Sequence, residues 1–526
     1  MSYAALYDES AVPQTEALNE RQVANNAGGY TYALDIWGRL DRFLILGSDS
    51  QTYYQTARKL TRENAACVTA CWASDPSRTA LRIAEVSDSG RAPKNSPAIF
   101  ALALGELHES LQARTAARGV LDRVCRTASH LFEYTSTVSA LGRGWGRGNK
   151  RAVAGWYDAK ETDKLAFQMI KYRNRNGMDH SRLLRTARPN ESGVSADRAA
   201  LFAWATGRQH DAEALPILVR AHQAAMSTES ASQLIPIIEQ HSLPWEAIPT
   251  WALTDADVWR AMLPSMGMTA MIRNLGTLTQ LEVIKPLGSE LRMVVERLTD
   301  LVALKKARIH PFTLLNALSN YSAGKGLRGD RTWKPERAIK DALGDAFYKA
   351  FEVVIPSGKR HLLALDVSGS MGYPMMNTNL TAREAAAAMC MVTARTEPWF
   401  HTVGFMNRLV DLDVSPSMRL DQVVRNIKRT NFGPTDCAKP MVEALQNGWE
   451  VDVFVVYTDN ETYFGRTHPS AALRKYRKET GINAKLIVVG MTATNFTIAD
   501  PNDSGMMDVV GFDDNAPALM ADFARA

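Results

Sequence analysis

The sequence predicts an α-helical HEAT-like repeat array followed by an α/β doubly wound parallel sheet. Three observations lead there. At 526 residues and 46% hydrophobic content, the chain exceeds the roughly 250–300 residues that one core fills. From about residue 15 to 355, apolar residues recur at three- and four-residue spacing, as in "PAIFALALGELHESLQARTAARGVLDRVCR", the signature of amphipathic helices. Beyond Pro356, short apolar runs alternate with helical segments, the pattern of a parallel sheet covered on both faces.

In the first part the turn signals "GSDS", "SDSGRAPKN", "GRGWGRGN", "NRNGMDHS", "STES", "HSLP" and "GKGLRGD" recur at intervals of a few tens of residues, which suits stacked helix pairs. No strict sequence period is visible, so the repeat reading rests on helix length and turn spacing. Tryptophans and methionines at helical spacing in "HSLPWEAIPTWALTDADVWRAMLPSMGMTAMIRNLG" read as core. The domains expected are 15–355, helical, and 356–526, α/β, with the boundary where Pro, Ser and Gly cluster.

In the second part "HLLALD", "FHTVGF", "VDVFVVYTD" and "AKLIVVGM" are the expected strands. "TAREAAAAMCMVTART" and "SAALRKYRKET" are expected helices between them.

Composition narrows the function classes. The formal charge of +5 is mild, so charge over the whole chain does not announce a nucleic-acid partner. Cys67, Cys71, Cys125, Cys390 and Cys437 form no CxxC pair and leave an odd one, which suggests reduced thiols rather than disulfides or zinc. Cys67 and Cys71, one helical turn apart, read as core packing. The N-terminal stretch lacks the basic end and apolar run of a signal peptide, and no apolar run approaches the roughly 20 residues that span a bilayer. The expectation is a soluble cytoplasmic protein without a membrane partner. No G-x-S-x-G elbow or P-loop is present and no histidine adjoins a plausible catalytic nucleophile, so no enzyme activity is expected.

In an open parallel sheet, ligands bind beyond the carboxyl ends of the strands. Asp366 ends the run "HLLALD", with Ser368 and Ser370 following. Asp459 directly follows "VDVFVVYT", and "NFGPTDCAKP" supplies Thr435 between them. Two carboxylates and three hydroxyls make a hard-oxygen set suited to one divalent cation, Mg²⁺ first, with Mn²⁺ or Ca²⁺ as alternatives. The DxSxS string alone is weak, arising by chance in about one chain of this length in ten. Its placement after a strand strengthens it. Asp436 reads as a cap at a helix start rather than a ligand.

Between Arg143 and Arg188 the chain carries 12 Lys or Arg against 4 acids, a local +8 that leaves −3 for the remainder. Such focusing is the footprint of a polyanion partner. In "LAFQMIKYRNRNGMDHSRLLR" a helix is expected to end at Asn176-Gly177, with Asp179 or Ser181 capping the next. This gathers Lys171, Arg173, Arg175, His180 and Arg182 around one turn. "GRGWGRGNKRAVAGWY" adds Arg147, Lys150 and Arg151 in a Gly-rich loop leading into a helix. Cations at helix ends and backbone N–H groups at helix starts can both face phosphate. A solvated charged face is the plainer reading of any single one of these side chains, and an inter-helix hydrogen bond that of His180.

Two resemblances follow from these residues. "DVSGSM", the later Thr435 and "VYTDNET" resemble the metal-ion-dependent adhesion site (MIDAS) of von Willebrand factor A domains. That likeness implies one cation held by Asp366, Ser368, Ser370, Thr435 and Asp459, with an open position for an acidic group of a partner. Over nearly the whole chain, "GGYTYALDIWGRLDRFLILGSDSQTYY", "KYRNRNGMDHSRLLR", "KKARIHPFTLLNALSNYSAGKGLRG", "GKRHLLALDVSGSM", "TDCAKPM", "VYTDNETY" and "AKLIVVGMTATNFTIADPNDSGMMD" resemble the Ro autoantigen family.

The resemblance implies a ring of HEAT-like repeats, the TROVE module, closed by the A domain. It also implies small noncoding Y RNAs on the outer basic surface and misfolded RNAs whose single-stranded 3′ ends enter the ring. In bacterial members a Y RNA can link the ring to an exoribonuclease. Lys171, Arg175 and His180 carry over as RNA contacts, and Arg147, Lys150 and Arg151 join them. Where the family's loop often has Trp before the His pair, this chain has Met178 and Asp179. The function expected is an RNA chaperone or quality-control scaffold in a ribonucleoprotein, the alternative being a metal-dependent protein-binding adaptor.

Overall fold

The computed structural model describes residues 11–47, 65–92, 94–326, 330–351, 354–373, 380–428, 433–492, 494–510 and 515–526. Several of the sequence features above reach outside these residues: the "GSDS" turn beyond Gly47, the stretch from there through Tyr54, Pro93, 327–329, 352–353, Pro374, 431–432 and Ala493.

Nineteen α-helices among the described residues run from Ile36 to Lys349. The Ser96–Leu107 helix is apolar nearly all round and lies buried inside the array, as such a helix must. Trp72 is fully buried and donates its indole N–H to the Ala101 carbonyl at 2.9 Å. It approaches Gly105 so closely that a Cβ there would lie 2.5 Å from the ring. All five cysteines are free and buried, as core packing of Cys67 and Cys71 requires. Trp259, Met262, Met266, Met268 and Met271 are buried as expected, whereas Trp251 is exposed. The array curls back on itself: His310 Nε2 meets the Arg91 carbonyl at 3.1 Å.

The strands, in chain order, are β1 (Gln22–Ala24), β2 (Tyr30–Ala33), β3 (Asn174–Arg175), β4 (Met178–Asp179), β5 (Arg360–Asp366), β6 (Trp399–Phe405), β7 (Leu409–Asp411), β8 (Val453–Thr458), β9 (Lys485–Gly490), β10 (Phe496–Thr497) and β11 (Met506–Val510). Six of them form the C-terminal sheet in the order β11-β9-β8-β5-β6-β7. It is parallel throughout except for β7, which runs antiparallel at one edge. Side chains alternate across it, with Leu363 and Leu365 packing into one apolar cluster and Leu362 and Ala364 into another; period-two alternation with both faces covered explains the unbroken apolar runs. The helix Ala382–Thr396 begins with a complete capping box between Thr381 and Glu384, which satisfies two otherwise orphaned amides.

The first residues of the chain do not stay with the helices. β1 and β2 form a sheet with β10 of the C-terminal half. The next helix, Ile36–Leu46, sends the fully buried Arg42 to both carboxylate oxygens of Asp508 on β11, at 2.8 and 2.9 Å. At the other end of the array, Arg395 stacks 3.5 Å above Tyr348 of the Arg337–Lys349 helix. The sheet-bearing half thus touches both ends of the helical array and closes it.

Candidate functional site

The basic segment is ordered by three local devices. The helix Thr162–Lys171 ends before Tyr172. Asn176-Gly177 then forms the tip of a small hairpin between β3 and β4, rather than the helix end expected from the sequence. Asn176 and Gly177 both have positive φ, 52° and 73°, the geometry an Asn-Gly hairpin turn requires. Asp179 accepts from the Arg182 amide at 2.7 Å and caps the helix His180–Ala187, as expected.

The hairpin rests on one turn of the helix Ala128–Ala140. Ser136 Oγ donates to the Asn176 carbonyl at 3.2 Å, and Arg175 lies 3.9 Å from Glu133. The same turn holds the second basic cluster, because Tyr134 donates to the buried Asn149 side chain at 3.2 Å. Asn149 is flanked by Arg147, Lys150 and Arg151, all on the first two turns of the helix Arg147–Asp158. The N-cap of that helix is Gly146, which provides no side-chain hydrogen bond. Beneath its start lies Arg118, paired with the buried Glu106 at 2.7 Å. A Cβ on Gly148 would lie 2.1 Å from that guanidinium, so a larger residue there would push Arg118 aside.

The two basic stretches, separate in sequence, therefore converge on residues 133–136. Arg147, Arg151, Arg173, Arg175 and Arg182 are exposed, and Lys150 and Lys171 are half-buried. Lys171 lies over the Phe167 and Tyr172 rings at 5.3 and 5.5 Å. Arg173 donates to His222 Nε2 at 2.8 Å, while His222 Nδ1 meets the Ala247 carbonyl at 2.7 Å. Burial holds the His222 pKa below its ordinary value, consistent with a neutral ring that accepts from Arg173. The edge thus continues onto the next helix pair. His222 and Asn149 escaped sequence reasoning, since nothing marks a single polar residue as an anchor until its partner is known.

His180 needs correcting. Its ring is 5% exposed, packs edge-on against Phe132 and Tyr157, and pairs Nδ1 with the Tyr157 hydroxyl at 2.9 Å. Burial pushes its pKa down to about 4. It holds the hairpin helix onto its neighbour and does not face solvent. Met178 is buried too, so it is a packing position rather than a stacking platform.

The second constellation lies where the strand order reverses, between β5 and β8, the crevice that open α/β sheets use for ligands. Asp366 ends β5 and Asp459 follows β8. Asp366 Oδ1 accepts from the Ser368 amide at 2.9 Å, and Oδ2 accepts from Thr458 Oγ1 at 2.8 Å. Ser368 and Ser370 hydroxyls are 2.7 Å apart. Arg383, at the start of the next helix, donates to the Val367 and Ser368 carbonyls, which orients this loop. Thr435 is tied to the loop that follows β8: its carbonyl accepts from the Tyr463 and Phe464 amides at 3.2 and 3.0 Å. The structure brings all five residues named from the sequence to one end of the sheet.

Their chemistry fits a hard cation. Asp366, Ser368, Thr435 and Asp459 are buried, Ser370 half-buried. Burial pushes the Asp366 carboxyl up, and that of Asp459 up to about 7. Two desolvated carboxylates beside hydroxyl oxygens are a setting that bound positive charge relieves. Among the described residues no group of three or more His, Cys, Asp or Glu is placed to hold a metal. Asp436 accepts from the Ala438 amide at 3.0 Å and from Gln14 Nε2 at 2.7 Å; it shapes the turn before the helix Lys439–Gln446.

A closed helical array joined to a six-stranded, mostly parallel sheet with oxygen donors at its switch point defines the class: a helical-repeat protein completed by a von Willebrand A-type domain. The TROVE domain model matches residues 23–214 and 235–322, and the Ro60 vWA domain model matches 360–524. The chain is 42% identical over 524 residues to the RNA-binding protein RO60 of Deinococcus radiodurans, covering 98% of this chain and 97% of that one. It is 34% identical over 587 residues to the RNA-binding protein RO60 of Caenorhabditis elegans, covering 97% and 91%. The crystal structure of the Deinococcus radiodurans RO (RSR) protein superposes with a TM-score of 0.71 at 40% identity, covering 93% and 99% of the two chains. The chain belongs to the Ro family. Among the described residues no helix is long and apolar enough to cross a membrane.

Proposed function

We propose that this protein binds noncoding RNA along the edge built on residues 133–136, and acts as a chaperone or quality-control scaffold in a ribonucleoprotein rather than as an enzyme. One observation carries the reading. Arg147, Lys150 and Arg151 crowd the first turns of a helix whose start has no side-chain cap. The helix dipole disfavours cations there, while an incoming phosphate satisfies both the cations and the free amides. The family likeness supports Y RNA as the resident partner, misfolded RNA with a single-stranded 3′ end as the client, and an exoribonuclease tethered through the Y RNA. The test is a binding comparison of duplex RNA, structured RNA and structured RNA with a single-stranded 3′ tail. Preference for the tailed form is expected; equal binding of plain duplex removes the client role.

The oxygen-donor crevice favours a second, compatible reading. In it Asp366, Ser368, Ser370, Thr435 and Asp459 would hold one divalent cation, Mg²⁺ first and Mn²⁺ or Ca²⁺ next, which would supply a Lewis-acidic position for an acidic group of a protein partner. Titration with Mn²⁺ should show one site per chain, lost in Asp366→Ala and reversed by chelator. RNA affinity should stay unchanged in that variant.

A further inference from the structure

The loops that carry Thr435 and Asp459 are clasped by residues from the opposite end of the chain. Gln14, fully buried, donates to Asp436 Oδ1 at 2.7 Å and to the Thr467 carbonyl at 2.8 Å, and accepts from the Thr462 hydroxyl. Asn25 donates to the Thr462 carbonyl at 2.6 Å. Asn26 and the Ala27 amide donate to the two carboxylate oxygens of Glu461, at 2.6 and 3.1 Å. Gly29 sits so close that a Cβ would lie 1.9 Å from the Thr462 oxygen. Glu461, 2% exposed, is two residues beyond Asp459, to whose Oδ1 its own amide donates at 3.0 Å. Asp436 is next to Thr435.

We propose that residues 14–29 are a positioning strap for the cation site, so that the closure of the helical array sets the affinity of the A domain for its metal. This rests on the metal reading above. Each ligand on these two loops is attached to a strap contact within a few bonds, whereas Asp366 and Ser368 are held from within the A domain by Thr458 and Arg383, and Ser370 by Ser368. Two of the five residues of the set, Thr435 and Asp459, are thereby held in place from the N-terminus. Linkage makes the coupling reciprocal: a cation that tightens the two loops also tightens the strap.

Mn²⁺ binding by the full chain tests it, read by isothermal calorimetry together with hydrogen exchange of the strap amides. Asn26→Ala, at an exposed position where folding is safe, and Asn25→Ala/Asn26→Ala are each expected to weaken Mn²⁺ by about tenfold or more, the scale of losing a group that orients a ligand. Tyr32→Phe removes a tie to Ser470, away from both loops, and should leave the affinity as in the wild type. In the wild type, Mn²⁺ should slow exchange at Ala27 and Gly29, whose amides bond to Glu461 and Asn25. Wild-type Mn²⁺ affinity in both Asn variants, with no change in exchange, overturns the strap. Absence of Mn²⁺ binding by the wild type overturns the metal reading itself, and the strap's role with it.

Discussion

Replacing Arg147, Arg151, Arg175 and Arg182 together by alanine should lower affinity for a structured RNA by about 10²-fold at physiological salt, and should cut the log–log salt slope by about 3, as loss of four single-strand phosphate contacts requires. All four side chains are exposed. Arg175 reaches Glu133 only at 3.9 Å, and Arg182 contributes one hydrogen bond, at 3.3 Å to the Gly177 carbonyl. Surface pairs of this kind add little stability, so the variant keeps its circular dichroism and thermal midpoint. Filter binding between 50 and 300 mM salt supplies the measurement. An unchanged slope moves the RNA elsewhere on the molecule. His180→Ala is the wrong probe, because emptying that buried position loosens the hairpin itself and confuses unfolding with lost contact.

Arg42→Ala should be the most destabilising single substitution at the closure of the array, costing about 3–5 kcal/mol, because it leaves Asp508 without its buried partner. The guanidinium also donates to Thr494 Oγ1 at 2.9 Å and to the Thr492 carbonyl at 3.2 Å, so two further acceptors are orphaned. Native-state hydrogen exchange across the helix Ile36–Leu46 reads the loss locally. The double variant Arg42→Met/Asp508→Leu should recover part of it, since replacing both charges with apolar groups removes the unpaired one. A single variant as stable as the wild type would mean that the closure does not depend on this pair.

Much of the architecture was legible in the sequence. The runs "HLLALD", "FHTVGF", "VDVFVVYTD" and "AKLIVVGM" became β5, β6, β8 and β9, because a sheet buried on both faces demands long apolar stretches. β7, β10 and β11 went unnamed. They are edge or accessory strands of two to five residues, too short for a period to register. β1 and β2 were hidden for another reason: the strand that completes their sheet, β10, lies more than 450 residues away.

The site divided in the same way. The placement of Asp366 and Asp459 at the ends of β5 and β8 was readable because a strand end is a local feature of the sequence. The cations were readable as a charge cluster, but their joint placement on residues 133–136 was not, and neither was the burial of His180. Asn176-Gly177 was legible as a turn and misassigned in type, since Asn-Gly serves both helix ends and hairpin turns and the flanking strands are only two residues long.

By itself, the sequence determined the two-part organisation and the concentration of positive charge, because each follows from residue type and periodicity within a few tens of positions. Only the tertiary structure decided which cations face solvent, that His180 is a packing residue, and that residues 14–29 clasp the loops around Asp436 and Glu461. Those outcomes depend on burial and on contacts between segments as much as 450 residues apart, and no local pattern encodes the partner that a distant part of the chain will supply.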